Sequence, residues 1–159
     1  MRISELVFPR PVVLLGVSAG KKANFMTVSF ISPICFEPKI LGVSISPKRY
    51  SFELLKVNDH FSINTCSKEM LDKAVICGTH SGREVDKTKL AELDVEFVEG
   101  VPVLTNSPIS LLCKKIDMRE YGDHYWIVGE VTKELVRDNS YDPLLHGTGG
   151  VFYTVKKLG

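Results

Sequence analysis

The sequence predicts a mainly β, α+β domain, an antiparallel barrel carrying short helical excursions. Three observations carry that expectation. Apolar runs of strand length recur along the chain, only two or three short segments have helical spacing, and two long β-like runs flank the tight turn Tyr121-Gly122-Asp123. A length of 159 residues suits one core, so a single domain over residues 1–159 is expected. A hydrophobic fraction of 44% against 25% charged is enough to pack that core, which excludes a disordered or fibrous chain.

Val12 to Val17 is an apolar, β-branched run that ends at Ser18-Ala19-Gly20-Lys21-Lys22, a strand entering a hairpin. Asn24 to Ile31 is the returning strand. Asn24, Met26, Val28 and Phe30 share one face, and Phe25, Thr27, Ser29 and Ile31 the other. Pro33 and Pro38 bracket a predicted loop, because proline cannot donate to an interior ladder. Ile40 to Ser46 alternates, with Leu41, Val43 and Ile45 opposite Gly42, Ser44 and Ser46. Pro47-Lys48-Arg49-Tyr50 turns the chain, and Ser51 is the expected cap of a helix reaching about Asn58.

Phe61 to Asn64 reads as a further strand. Ser67 then precedes a short helix with the apolar stripe Met70, Leu71, Ala74 and Val75. The run C-G-T-H-S-G-R-E-V-D-K from Cys77 to Lys87 lacks periodicity and reads as an ordered loop, followed by a short helix through Leu93. Beyond Pro102, strands are expected over Ile109 to Met118, Tyr125 to Leu135 and Val151 to Val155. Tyr125 and Trp126 point to opposite faces, one into the core and the other toward an interface.

Twenty Lys and Arg face nineteen Asp and Glu, so the formal charge of +1 leaves no large field to draw nucleic acid or an anionic membrane. No apolar stretch approaches the roughly 20 residues that span a bilayer, and no signal-peptide pattern opens the chain; the expected compartment is the cytoplasm. Cys35, Cys66, Cys77 and Cys113 form no C-x-x-C pair and no zinc-finger spacing with the four histidines, so each reads as a small buried hydrophobe and no metal site is expected.

The chemistry concentrates in Ser44, Ser46, Arg49 and Ser51. A phosphate monoester needs several donors and positive charge, and this segment supplies hydroxyls, a guanidinium and helix-start amides. The same residues also fit a strand with solvated serines before an ordinary helix cap. Thr79-His80-Ser81-Gly82-Arg83, with Lys87 nearby, is a second group of donors. There is no G-x-x-x-x-G-K-[ST] loop, no G-x-G-x-x-G turn, no G-x-S-x-G elbow and no H-E-x-x-H helix, which removes P-loop, Rossmann, serine-hydrolase and zincin chemistry.

Four co-linear motifs, A-N-F-M-T-V-S-F-I-S-P, S-I-S-P-K-R-Y-S-F-E-L-L, C-G-T-H-S-G-R-E-V-D-K and G-D-H-Y-W-I-V-G-E-V, together resemble the flavin reductase-like FMN-binding proteins, flavoredoxin among them. The likeness runs from about Arg10 to Val155 and includes D-P-L-L-H-G-T-G-G-V-F-Y. It implies a split β-barrel that forms a homodimer and binds FMN non-covalently near the subunit interface. By motif position, Asn24, Met26, Thr27 and Ser29 would border the isoalloxazine. Ser44, Ser46, Arg49 and Ser51 would bind the ribityl chain and phosphate, and Ser81, Gly82 and Lys87 would close the pocket. Ser29 and Phe30 depart from the common pattern, so packing near the ring is expected to differ, and Cys35 stands where a non-thiol residue is usual.

The resemblance implies an FMN-dependent oxidoreductase that passes electrons from NAD(P)H or a redox protein to a small acceptor such as a flavin, a ferric chelate or a redox partner. FMN carries the redox chemistry, so no catalytic side chain is required of the protein. His124 is the foremost extra candidate, placed either near flavin or substrate, or fixing the hairpin turn or packing at a dimer interface, and His80 reads as a gate at the flavin edge or a solvent-exposed loop histidine. The alternatives are a non-redox barrel binding a ligand or nucleic acid, a haem protein and a purely structural dimer. Balanced charge opposes nucleic acid, and the absence of a recognisable histidine pair opposes haem.

Overall fold

The computed structural model describes residues 1–158. A short helix α1 (Ile3–Leu6) leads into β1 (Arg10–Pro11), β2 (Val13–Ala19), β3 (Lys22–Val28), β4 (Ile31–Cys35), β5 (Ile40–Ile45), α2 (Tyr50–Val57) and β6 (His60–Thr65). Then come α3 (Leu71–Thr79), α4 (Lys87–Leu90), β7 (Val95–Val98), β8 (Val101–Leu104), β9 (Ile109–Tyr121), β10 (His124–Val136), β11 (Leu145–His146) and β12 (Phe152–Tyr153).

Seven strands form one antiparallel sheet in the order β3-β2-β6-β9-β10-β5-β4. Its two end strands, β3 and β4, are consecutive in the chain and separated only by Ser29 and Phe30. The ends of the sheet must therefore meet, and the sheet rolls into a barrel whose seam lies between β3 and β5. The Phe30 carbonyl accepts from the Ser44 amide at 2.9 Å and pins the seam at one point. Elsewhere, among the described residues, the outer edge of β3 has no strand beside it.

Alternation fills the barrel. Leu41, Val43 and Ile45 of β5 join Val13, Leu15, Val17, Phe61, Ile63 and Ile127 in the main core, with Met26 packed against it. Phe25, Leu14, Met70, Ala74 and Cys77 form a second cluster between the sheet and α3. Fully burying each such phenylalanine or leucine contributes roughly 1.5–3 kcal/mol. Tyr125 packs on Phe52 at 4.7 Å, whereas Trp126 lies on the opposite face over Gly42. A β-carbon at Gly42 would stand 2.0 Å from the indole, so only glycine lets Trp126 lie flat on β5.

Several expectations are corrected. Pro33 lies within β4, an edge strand rather than a loop, because an edge position leaves its missing N–H unneeded. Ser51 is inside α2, and Arg49 is the cap; the buried Ser51 hydroxyl instead accepts from Asn24 Nδ2 at 2.7 Å. The buried stripe leading into α3 is Met70, Ala74 and Cys77, with Leu71 and Val75 at the surface. α3 also takes up Cys77 to Thr79, and the last strand shortens to Phe152–Tyr153. Cys66, Cys77 and Cys113 are buried as expected, but Cys35 is exposed. Among the aromatic side chains, Phe25, Phe52 and Phe61 are buried, while Phe8, Phe36, Phe97, Tyr121 and Tyr153 are exposed.

Candidate functional site

The seam is a groove with three walls: β3, the β5–α2 junction, and the loop from Gly78 to Lys87. Its inner part, about 220 Å³, is lined by Met26, Thr27, Arg49, Ser51, Ser81, Gly82 and Lys87, among others. An outer part of about 730 Å³ is lined by Met26, Thr27, Ser29, Ser44, Ser46, Arg49 and His124, among others. Met26, Thr27, Lys48 and Arg49 border both parts, which makes them one continuous trough. Every residue expected to contact the cofactor lines this trough except Asn24, and Thr79 of the second donor group also lies outside it. Asn24 lies behind it, buried, and holds the Ser51 hydroxyl.

Local folding explains these placements. Pro47 and the tight turn after β5 reverse the chain, so α2 starts at the groove and its first amides have no intrahelical acceptor. Gly82 brings the loop onto Asn24 and Tyr50: a β-carbon there would lie 2.1 Å from Asn24 Oδ1 and 2.8 Å from Tyr50 Cδ1. Arg83 straps the same loop down, pairing with the Glu53 carboxylate, donating to the Lys48 carbonyl at 3.2 Å and covering the Tyr50 ring. Thr27 spends its hydroxyl on the Ala74 carbonyl at 2.5 Å, tying β3 to α3, and so offers the groove its backbone. Ser29 Oγ accepts only a long 3.5 Å bond from Arg10.

Lys87 dominates the electrostatics. It is only 5% exposed, yet its ammonium donates to a single acceptor among the described residues, the Cys77 carbonyl at 3.1 Å. Burial holds its pKa below the ordinary lysine value, with the Cys77 thiol opposing and the Arg49 charge reinforcing the shift. Such a charge lacks compensation until an anion arrives. The Arg49 guanidinium makes no hydrogen bond among the described residues and borders the same cavity. At the other end of the trough, His124 Nδ1 contacts Asp123 Oδ1 at 2.8 Å, and that contact lowers the Asp123 pKa.

The donor set suits a phosphorylated, ring-bearing cofactor. Lys87, Arg49, the Ser51 hydroxyl and the first amides of α2 converge on the inner end, and glycine rather than a side chain forms the loop wall there. Along the outer part, the free edge of β3 offers backbone donors and acceptors to a planar heterocycle. Among the described residues, no group of three or more His, Cys, Asp or Glu could hold a metal ion.

Sequence reasoning did not single out Lys48 and Tyr50 as lining residues, although both sit in the P-K-R-Y turn that it had marked. It also gave His146 no role. His146 Nδ1 meets the buried Arg10 at 3.0 Å, and Arg10 is further held by the Ser4 and Val7 carbonyls. That pairing joins residues at opposite ends of the chain, beyond the reach of any local pattern.

Comparisons with known proteins agree with this geometry. The flavin reductase like domain model matches residues 4–154. A crystal structure of flavoredoxin from Methanosarcina acetivorans superposes with a TM-score of 0.89 at 29% identity, covering 100% of this chain and 92% of that one. An FMN-binding protein from Thermus thermophilus, crystallised with 1-cyclohex-2-enone, gives a TM-score of 0.86 at 27% identity over 94% and 88% of the two chains. The FMN reductase (NADH) SmoA of Agrobacterium fabrum is 30% identical over 128 residues, 80% of this chain and 68% of that protein. The rolled antiparallel sheet is the split barrel of these relatives, and the chain belongs to the flavin reductase-like family.

Proposed function

We propose that this flavin-related oxidoreductase binds FMN in the seam and passes electrons from NAD(P)H or a reduced redox protein to a small acceptor, such as a flavin or a ferric chelate. The observation that carries the reading is Lys87, a buried ammonium with unspent donors facing a cavity that Arg49 and the start of α2 also border. A phosphate monoester supplies the missing negative charge.

In this reading Lys87, Arg49, Ser51 and the first amides of α2 hold the phosphate. Ser44 and Ser46 face the ribityl hydroxyls, and Ser81 and Gly82 close the loop over the chain. Met26, Thr27 and Ser29 present backbone and side chain to the ring, and Asn24 fixes the Ser51 hydroxyl from behind. Bound there, FMN would supply a ring that accepts a hydride and returns electrons singly or in pairs. The protein binds, orients and shields; no acid or base is required of it.

A homodimer fits this reading. Ile34 in the edge strand β4 and Phe36 just after it are exposed, Phe36 at 97%, together with Leu6, Val7 and Phe8 near the N-terminus, and two-fold pairing is the commonest way to cover such surface. Four unpaired thiols suit a reducing compartment such as the cytoplasm. Among the described residues, no helix is long and apolar enough to cross a membrane.

The test is a spectrum. After incubation with FMN and gel filtration, the protein should retain a flavin band near roughly 450 nm. Arg49→Ala should weaken retention by about tenfold, the loss expected for one charge-assisted donor. A wild-type protein that emerges colourless refutes the reading. Steady-state assays with NADH and NADPH across an acceptor panel then assign donor and acceptor.

A further inference from the structure

The N-terminal segment reaches the outer end of the trough, where Arg2 is one of the lining side chains. Little holds it there. α1 buries none of its residues, and Leu6, Val7 and Phe8 are exposed. Among the described residues, the hydrogen bonds that tie residues 1–9 to the rest of the chain all come from Arg10, whose Nη1 donates to the Ser4 carbonyl at 2.6 Å and to the Val7 carbonyl.

Arg10 is itself held by a neutral acceptor. It stands opposite His146 in the register of β1 and β11, and its Nη2 donates to His146 Nδ1 at 3.0 Å. A guanidinium has donors only, so this Nδ1 is unprotonated and the imidazole is neutral, with its proton on Nε2. The other contacts of Arg10 are weaker, a 3.5 Å bond from Nε to Ser29 Oγ and the Phe30 ring at 5.5 Å. Although Arg10 is only 8% exposed, no carboxylate among the described residues lies within ion-pair distance of it.

We propose that the Arg10–His146 pair is an acid-sensitive latch: neutral His146 keeps Arg10 turned inward and the N-terminal segment strapped beside the trough, and protonated His146 lets both go. A proton on Nδ1 removes the acceptor and sets a second positive charge against the buried guanidinium, with no carboxylate to offset the pair. Arginine does not give up its own proton, so the two side chains must separate. As Arg10 turns to solvent, the Ser4 and Val7 carbonyls lose their donor. Arg10 of β1 is the charged group that faces the imidazole. β12 presents the Phe152 ring at 5.1 Å, β3 presents Ser29, and α3 presents Ala74, Val75, Gly78 and Thr79 across a small cavity, none of them ionisable in the working range. Burial and the Arg10 charge hold the His146 pKa below the ordinary 6.5, so the latch is shut at neutral pH and opens as pH falls through the lowered value. The inference does not depend on what the trough holds.

The experiment reads backbone order parameters of Ser4 to Val7 by amide NMR relaxation on the full chain, with the His146 ring titrated in the same samples. In the wild type they should lie near about 0.85 at about pH 7.5 and fall below about 0.6 at about pH 5. His146→Asn keeps an acceptor where Nδ1 stood and takes up no proton. It should stay ordered at both pH values, which separates the latch from any other effect of acid, loss of a dimer included. Arg10→Met should be mobile at both. A wild-type segment equally ordered or equally mobile at the two pH values, the same loss in His146→Asn, or an Arg10→Met chain as ordered as wild type would each overturn the latch. If neither variant folds, the wild type still decides: mobility must set in where the His146 ring titrates, and onset at any other pH overturns the proposal.

Discussion

Lys87 gives the clearest dependence on pH. Burial favours its neutral form, so in the free protein the ammonium loses its proton below the ordinary 10.5. A bound phosphate favours the charged form and restores that proton. FMN affinity should therefore be full below the lowered pKa and decline as pH climbs through it toward 10.5, as isothermal titration across alkaline buffers would register. The free protein behaves in the opposite sense: burying the charge costs stability at neutral pH, and the cost is relieved as pH rises through that pKa. Lys87→Met should accordingly leave apoprotein melting unchanged or higher while FMN binding falls by about tenfold or more, and the pH dependence of binding should flatten. None of this was visible in the string. Lys87 could be named from its motif, but its burial depends on α4 docking against β3 and α3.

Among the elements, β5 was the most legible and β4 the least. The alternation of Leu41, Val43 and Ile45 with Gly42, Ser44 and Ser46 reports a strand with one buried face, and the structure keeps that division. β4 carries Pro33 and exposed residues on both sides, so it has no periodicity to read; its pairing with β5 decides it. α1 and the β7–β8 hairpin went unseen for a similar reason, since both are four-residue elements whose order comes from what they rest on. Ser51 was misassigned as a cap because a serine after a turn is the usual signal, yet Asn24 on another strand claims its hydroxyl. The covered glycine of β5 gives this element its prediction. Gly42→Ala forces the Trp126 indole aside and should cost about 1–3 kcal/mol. At this length each kcal/mol lowers Tm by about 2–4 °C, which a thermal melt resolves. An unaltered Tm would mean that the indole moves away freely.

For the whole molecule, the sequence conveyed the architecture because strand length, strand number and the two-residue Gly122-Asp123 turn constrain each other, and Gly122 does adopt the left-handed φ of +61° that such a turn needs. It could not convey the joint where the sheet closes, which depends on β3 and β4 being neighbours in the chain but opposite ends of the sheet. Assembly is the remaining question at this level. We expect sedimentation to report a particle of twice 17.7 kDa, with apolar residues around Phe36 and the N-terminus covered. A monomer that still holds FMN tightly would refute the dimer and leave the trough assigned to these residues intact.

The exposed margin of β3 carries a further implication. A strand with one row of amides and carbonyls left over is a template for strand addition by another chain, and proteins ordinarily blunt such rims with charge or cover them. Here that rim borders the very trough assigned to the cofactor. A flavin seated there would double as a shield for a sticky border, so a cell short of the vitamin would hold a pool of this protein that is both inactive and prone to clumping.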